Sequence, residues 1–120
     1  MAKLLIVEDQ FVLASELERI LEEAGHQVVG LARDPAGALE LAERERPEVA
    51  IVDLKLASGF DGLEAAAAIA ERFGCRIVIA TAYMERVIEE ASIRIRPCSI
   101  LRKPYTRKAV LAAVEECLAS

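Results

Sequence analysis

Glu48-Val49-Ala50-Ile51-Val52-Asp53-Leu54 contains an uninterrupted apolar run, Val49 to Val52, that stops on a carboxylate. A strand buried on both faces reads as such a run, because a parallel sheet covered by helices leaves neither face to water. Asp53 therefore falls at the carboxyl end of a strand. In open α/β sheets that edge is where ligands gather, since its loops face one crevice and helix N-termini point into it.

Working outward, Lys3 to Val7 is a second buried-strand run that also ends on acid, Glu8-Asp9. From Gln10 to Ala24, Leu13, Leu17, Ile20, Leu21 and Ala24 recur at helical spacing opposite Glu16, Glu18, Arg19, Glu22 and Glu23, and Gly25 supplies a stop. Phe11 fits neither face and is expected to be exposed near the crevice. His26 to Leu31 is a shorter, more polar strand suited to an edge, with His26 an ordinary strand-start residue. Asp34-Pro35 is a helix start, with aspartate as N-cap and proline in the first turn, and the helix runs through Ala38, Leu39, Leu41 and Ala42 until Pro47.

Beyond Asp53, Lys55 to Gly62 is a polar loop, and Asp61 or Gly62 starts a helix over Leu63 to Phe73 whose Ala65 to Ala68 run packs close to a sheet. Arg76 to Ala80 is a strand ending at Thr81. A short helix covers Glu85 to Ala91, Pro97 precedes a last strand over Cys98 to Arg102, and Lys103-Pro104 closes it. Thr106 caps a final helix through Val110, Leu111, Val114 and Leu118. Five strands alternate with five helices, which implies a parallel sheet with helices on both faces in one domain spanning 1–120.

Composition narrows the class. A hydrophobic content of 54% and mean hydropathy of +0.30 are high, yet no apolar run approaches the roughly 20 residues that span a bilayer. No signal-peptide layout follows Met1, so the expected location is the cytoplasm, without membrane insertion. Cys75, Cys98 and Cys117 are widely spaced without a CxxC and read as reduced thiols, neither a disulfide frame nor a zinc site. Residues 1–90 hold 18 acids and 9 bases, whereas residues 91–120 hold 2 acids and 6 bases. The net charge of −5 argues against nucleic acid, and the basic last quarter is a candidate surface for an acidic protein.

Right-handed crossovers bring the strand ends bearing Glu8-Asp9, Asp53, Thr81 and Lys103 to one edge. Three carboxylates in one crevice repel each other and invite a hard cation, for which oxygen ligands suit Mg²⁺ or Mn²⁺. A hydroxyl and an ammonium beside it are donors to phosphoryl oxygens, and Asp53 becomes a nucleophile forming an aspartyl phosphate.

With Glu8-Asp9, the apolar strand into Asp53, Asp61-Gly62, Thr81-Ala82 and Lys103-Pro104 in this order, the whole chain resembles the receiver domain of bacterial two-component response regulators. The resemblance implies a flavodoxin-like sheet of order 2-1-3-4-5 and a cis Lys103–Pro104 bond. It implies that Glu8, Asp9, Asp53 and the Lys55 carbonyl arrange the metal, that Asp53 takes phosphate from a histidine kinase or phosphotransferase, and that Thr81 and Lys103 bind the phosphoryl group. Such a chain is a phosphorelay signalling module whose only catalysis is its own aspartyl phosphorylation and dephosphorylation. Downstream it binds a protein through its basic fourth helix, fifth strand and fifth helix, with a homodimer left open, and it stands alone or is cut from a longer regulator.

Departures from the family pattern carry their own expectations. Ala57 stands where a proline is usual, and Ile100 replaces the aromatic commonly three residues before the lysine. Ile79 to Tyr83 resembles instead a variant of some single-domain receivers, making Tyr83 the candidate mobile aromatic. Lys55 and Tyr83, both bulky, border the path of attacking water, so slow self-dephosphorylation is expected. Phe11, Ala14 and Tyr105 form the expected kinase contact. Two other classes fit worse: an Asp-nucleophile phosphatase wants a second aspartate where Lys55 stands, and a nucleotide or flavin binder lacks both GxGxxG and GxxxxGK[ST].

Overall fold

The computed structural model describes residues 2–56, 61–82 and 85–119, with the side chains of Asp61 and residues 85–88 outside the description. The elements run β1 (Lys3–Val7), α1 (Phe11–Glu23), β2 (Gln27–Ala32), α2 (Pro35–Glu45), β3 (Val49–Asp53), α3 (Asp61–Phe73), β4 (Arg76–Thr81), α4 (Glu85–Ile95), β5 (Ser99–Arg102) and α5 (Arg107–Ala119). Among the described residues the strands form one parallel sheet in the order β2-β1-β3-β4-β5.

Alternation along each strand divides the core in two. Leu5, Val7, Ala50, Val52, Ile77 and Ile79 meet Ala38, Ala42, Ala66, Ile69, Ala91 and Ile95 of α2, α3 and α4. Leu4, Ile6, Val49, Ile51, Val78 and Ala80 meet Leu17, Ile20, Leu21, Val110, Val114 and Cys117 of α1 and α5. Every residue of β3 is buried, as its unbroken apolar run requires.

Local signals set the boundaries. Gly25 and Gly74 follow α1 and α3 at φ 95° and 66°, a left-handed conformation that glycine adopts without penalty. Asp34 accepts the Gly37 N–H at 2.8 Å, and the Thr106 hydroxyl accepts that of Ala109 at 3.1 Å, so both expected caps are made.

Two expectations need correction. Helix α4 runs on past Ala91 to Ile95 because Ala91 and Ile95, one turn apart, both enter the core, while Arg94 reaches Glu64 on α3 at 2.8 Å. Cys98 and Cys117 form a disulfide, with Cα atoms 5.1 Å apart and only Cys75 free. Nineteen residues separate them in sequence, but the start of β5 lies against the last turn of α5, a juxtaposition that cysteine spacing alone does not reveal.

Candidate functional site

The carboxyl ends of β1, β3 and β5 converge because these strands run parallel and their register aligns the ends. Val7 pairs with Val52 and Asp53 with Ala80, and the Lys103 N–H donates to the Thr81 carbonyl at 2.9 Å. Glu8, Asp9 and Asp53 each offer a carboxylate oxygen, and the three oxygens lie within 4.8 Å of one another. Glu8 and Asp53 are 3% and 6% exposed, so their charges are held largely out of water.

Lys103 answers that charge. Its Nζ donates to Glu8 Oε1 at 2.8 Å and to Asp53 Oδ2 at 2.9 Å, one ammonium bridging acids at the ends of two strands. Backbone donors add to it: the Gln10 N–H reaches Glu8 Oε2 at 3.2 Å and the Lys55 N–H reaches Asp53 Oδ1 at 3.1 Å. Lys103 precedes a cis peptide bond to Pro104, as expected.

Burial pushes the Glu8 carboxyl above its ordinary range; the Lys103 hydrogen bond pulls the other way, while the Asp53 charge adds to the rise. Burial alone would lower the Lys103 ammonium, but its bonds to Glu8 and Asp53 outweigh that and raise it. Among the described residues the three acids outnumber the two lysines at the crevice, the bridging Lys103 and the exposed Lys55, and leave it short of positive charge. Clustered carboxylate oxygens with no nitrogen or sulfur ligand among them fit a hard divalent cation such as Mg²⁺.

A cavity of about 240 Å³ opens onto these groups, lined by Gln10, Leu13, Asp53, Lys55, Ala82 and Lys103. Next to it, Leu13, Glu16, Ala82, Lys103, Pro104 and Tyr105 line a second of about 320 Å³. Thr81 is fully buried at the end of β4, beside the strand that carries Asp53. Leu13 and Gln10 were missed as lining residues: Leu13 reads simply as part of the helix stripe, and the role of Gln10 rests on its backbone N–H.

Among the docking candidates, Phe11 is exposed, with Val12 beside it equally so, both at 77%. Ala14 is 3% exposed and belongs to the core under α1 and α5, so it is no part of an outer surface; one helical step beyond the exposed first turn, it faces the sheet. Tyr105 is half-buried, its hydroxyl has no hydrogen-bond partner among the described residues, and burial pushes it up to about 12. Ile100 is 38% exposed on the edge strand and lines a groove with α5. Tyr83 and Ala57 lie outside the described residues. At least four of the six basic residues after Ala91 are engaged within the fold: Arg94 on Glu64, Arg107 on Glu23 at 2.7 Å, Lys103 in the crevice, and Arg102 as well. The basic face is thus weaker than composition suggests.

Fold and crevice together define a doubly wound α/β domain with an acidic, lysine-bridged site at the carboxyl edge of its sheet. The chain belongs to the response regulator receiver domain family, whose model matches residues 4–115. It is a phosphoacceptor signalling module of the two-component type, in a family that typically binds Mg²⁺. It is 33% identical over 117 residues to the phyllosphere-induced regulator PhyR of Methylorubrum extorquens, covering 97% of this chain and 43% of that protein. It is 29% identical to sporulation initiation phosphotransferase F of Bacillus subtilis, covering 97% of this chain and 93% of that one. The crystal structure of the response regulator PhyR from Brucella abortus superposes with a TM-score of 0.88 at 32% identity, over 98% of this chain and 48% of that chain. The chain thus spans about half the length of the PhyR proteins it matches. Among the described residues no helix is long and apolar enough to cross a membrane.

Proposed function

We propose that Asp53 accepts a phosphoryl group from the phosphohistidine of a kinase or phosphotransferase. An Asp53 carboxylate oxygen attacks phosphorus, the phosphorus–nitrogen bond of the donor breaks, and the imidazole leaves with its electron pair. The observation that carries this reading is the Lys103 ammonium held between Glu8 and Asp53, at 2.8 and 2.9 Å. Before reaction it offsets their repulsion; as negative charge builds on the equatorial oxygens, it is already in place to donate to them.

Thr81, at the end of the neighbouring strand, supplies a hydroxyl to the same oxygens. Gln10 and Lys55 hold the two carboxylates through backbone N–H donors, which fixes the direction of attack. Mg²⁺ or Mn²⁺, when held by Glu8, Asp9, Asp53 and the Lys55 carbonyl, supplies the remaining positive charge. The domain thereby assists its own phosphorylation and acts on nothing else. Phe11, exposed at the start of α1 next to the crevice residue Gln10, contacts the donor protein, Tyr83 responds to the new phosphate, and Lys55 with Tyr83 keeps water out and the phosphate long-lived.

The unit spans residues 1–120. It acts alone, as coverage of 93% of a sporulation phosphotransferase parallels, or as the receiver of a longer regulator, as coverage of 43% of PhyR parallels. Intact-mass measurement after acetyl phosphate tests the chemistry. The native chain should gain one phosphoryl mass with Mg²⁺ and none with chelator, and Asp53→Asn should gain none under either condition. Equal gain in native chain and variant would refute the assignment of Asp53.

A further inference from the structure

All three cysteines lie at the amino-terminal edge of the sheet, opposite the acidic crevice, and phosphoacceptor chemistry uses none of them. Cys98 stands just ahead of β5, its N–H donating to the Ile77 carbonyl at 2.9 Å. Cys117 is in the last turn of α5, and its carbonyl accepts from Arg76. Their disulfide closes a segment, with a sequence separation of 19, that contains β5, the Lys103–Pro104 turn and most of α5. The crosslink therefore clamps the edge strand to the helix that follows it, and the segment between them delivers Lys103 to Glu8 and Asp53.

The two sulfurs differ in access. Cys117 is fully buried, whereas Cys98 is half-buried and lines a surface cavity of about 420 Å³ with Ala70, Cys75, Ile77 and Ile95. An incoming thiol thus meets Cys98 first. Cys75 shares the cavity but is 4% exposed, and burial pushes its thiol up to about 12, so at neutral pH it holds almost no thiolate with which to exchange.

We propose that Cys98–Cys117 is a reversible thiol–disulfide exchange site, opened by a dithiol reductant at Cys98, and that its state sets how firmly the β5–α5 arm bearing Lys103 is held. In the reducing direction a reductant thiolate attacks Cys98 Sγ, the Cys98–Cys117 bond breaks, and Cys117 leaves as a thiolate that takes up a proton. The second reductant thiol then attacks the mixed disulfide and releases Cys98 as a thiol. The reductant ends as a disulfide and the protein gains two hydrogens. A glutathione-class disulfide runs the sequence backward.

The test compares native protein equilibrated with oxidised glutathione or with dithiothreitol. Folded samples are labelled with N-ethylmaleimide for mass analysis and followed by amide hydrogen exchange over residues 99–118. The oxidised form should take no label at Cys98 or Cys117 and should exchange more slowly across the arm. For a closed loop of this length, crosslinking should lower the unfolded population roughly a hundredfold. Reduction should expose Cys98 to label without unfolding the chain. Cys98→Ser should behave as the reduced form under both treatments, and Cys75→Ser should keep the full response. The proposal is overturned by thiols that stay free in oxidised glutathione, by a bond that opens only in denaturant, or by identical exchange across the arm in both states. A further consequence, severalfold slower phosphate uptake after reduction, rests on the phosphoacceptor reading. Failure of that reading alone would show as no uptake in either redox state, with the labelling and exchange differences intact.

Discussion

Replacing Gly62 with alanine tests how closely α3 is seated on the end of the phosphoacceptor strand. The Gly62 N–H donates to the Leu54 carbonyl at 3.1 Å, and a Cβ at this position would collide with the Asp53 carbonyl oxygen. It would also stand 2.7 Å from the Asp53 carbonyl carbon and 2.8 Å from that of Leu54. Non-bonded carbons rest at about 3.5 to 4.0 Å and a carbon and an oxygen at about 3.3 Å, so the first turn of α3 must retreat by roughly 1 to 1.5 Å. All three obstacles are backbone atoms, which no rotamer change can clear. Overpacking at about 3 kcal/mol plus a weakened hydrogen bond of about 1 kcal/mol exceeds the gain of about 1 kcal/mol from alanine in a helix. The net loss should be about 3 kcal/mol, which moves a urea midpoint down by roughly 1 to 2 M. Because two of the three obstacles belong to Asp53, the strain also reaches the phosphoacceptor, and Mg²⁺ binding should weaken as well. Gly74→Ala is the control, since nothing lies within 4 Å of its Cβ and only its φ of 66° is penalised, at about 1 kcal/mol. A Gly62→Ala midpoint equal to or above that of the native chain would refute the close approach.

Removing the bridging ammonium in Lys103→Ala leaves Glu8 and Asp53 buried without their shared partner. In chelator this should cost about 3 kcal/mol by chemical denaturation, and saturating Mg²⁺ should restore part of it; an unchanged midpoint in chelator would contradict the bridge. The raised Glu8 carboxyl gives a pH dependence of opposite sign to the usual acid. The folded chain holds that proton more tightly than the unfolded one, so the contribution is full below the ordinary value of 4.5 and is lost as pH rises through the higher folded value. Metal-free native protein should show that decline and Glu8→Gln should not, when unfolding is followed across pH. For Lys103 the contribution is complete below 10.5 and is lost only at higher pH, as its raised folded value is passed. Phe11→Asp, at a 77% exposed site, should leave stability within about 0.5 kcal/mol yet slow transfer from a phosphohistidine protein roughly tenfold, with uptake from acetyl phosphate as the comparison.

Most of the sheet can be read from the chain because its strands are buried on both faces. Val49 to Val52 and Leu4 to Val7 have no polar interruption to confuse with another element, and each stops on the acid that the site needs. Parallel pairing then fixes which ends share an edge, so Glu8, Asp9, Asp53 and Lys103 meet without any local signal joining them. Features that depend on tertiary neighbours are harder to read. Helix α4 continues to Ile95 through contacts with the core and with Glu64, which its own propensity does not announce. Cys98 and Cys117 pair across a strand–helix packing that spacing does not encode. Ala14 is small enough to look exposed beside Phe11 yet lies on the sheet side of α1. The basic tail looks like an open surface until Arg94 and Arg107 are seen bound to acids of α3 and α1.

The central claim is that acids at the carboxyl ends of β1 and β3, with Lys103 between them, make one particular aspartate the phosphate acceptor. Borohydride reduction of protein phosphorylated by acetyl phosphate in Mg²⁺, followed by peptide mapping, locates the acyl phosphate because the modified aspartate becomes homoserine. Homoserine at position 53 and nowhere else is the predicted result; homoserine at position 9, or phosphate surviving in Asp53→Asn, would contradict it.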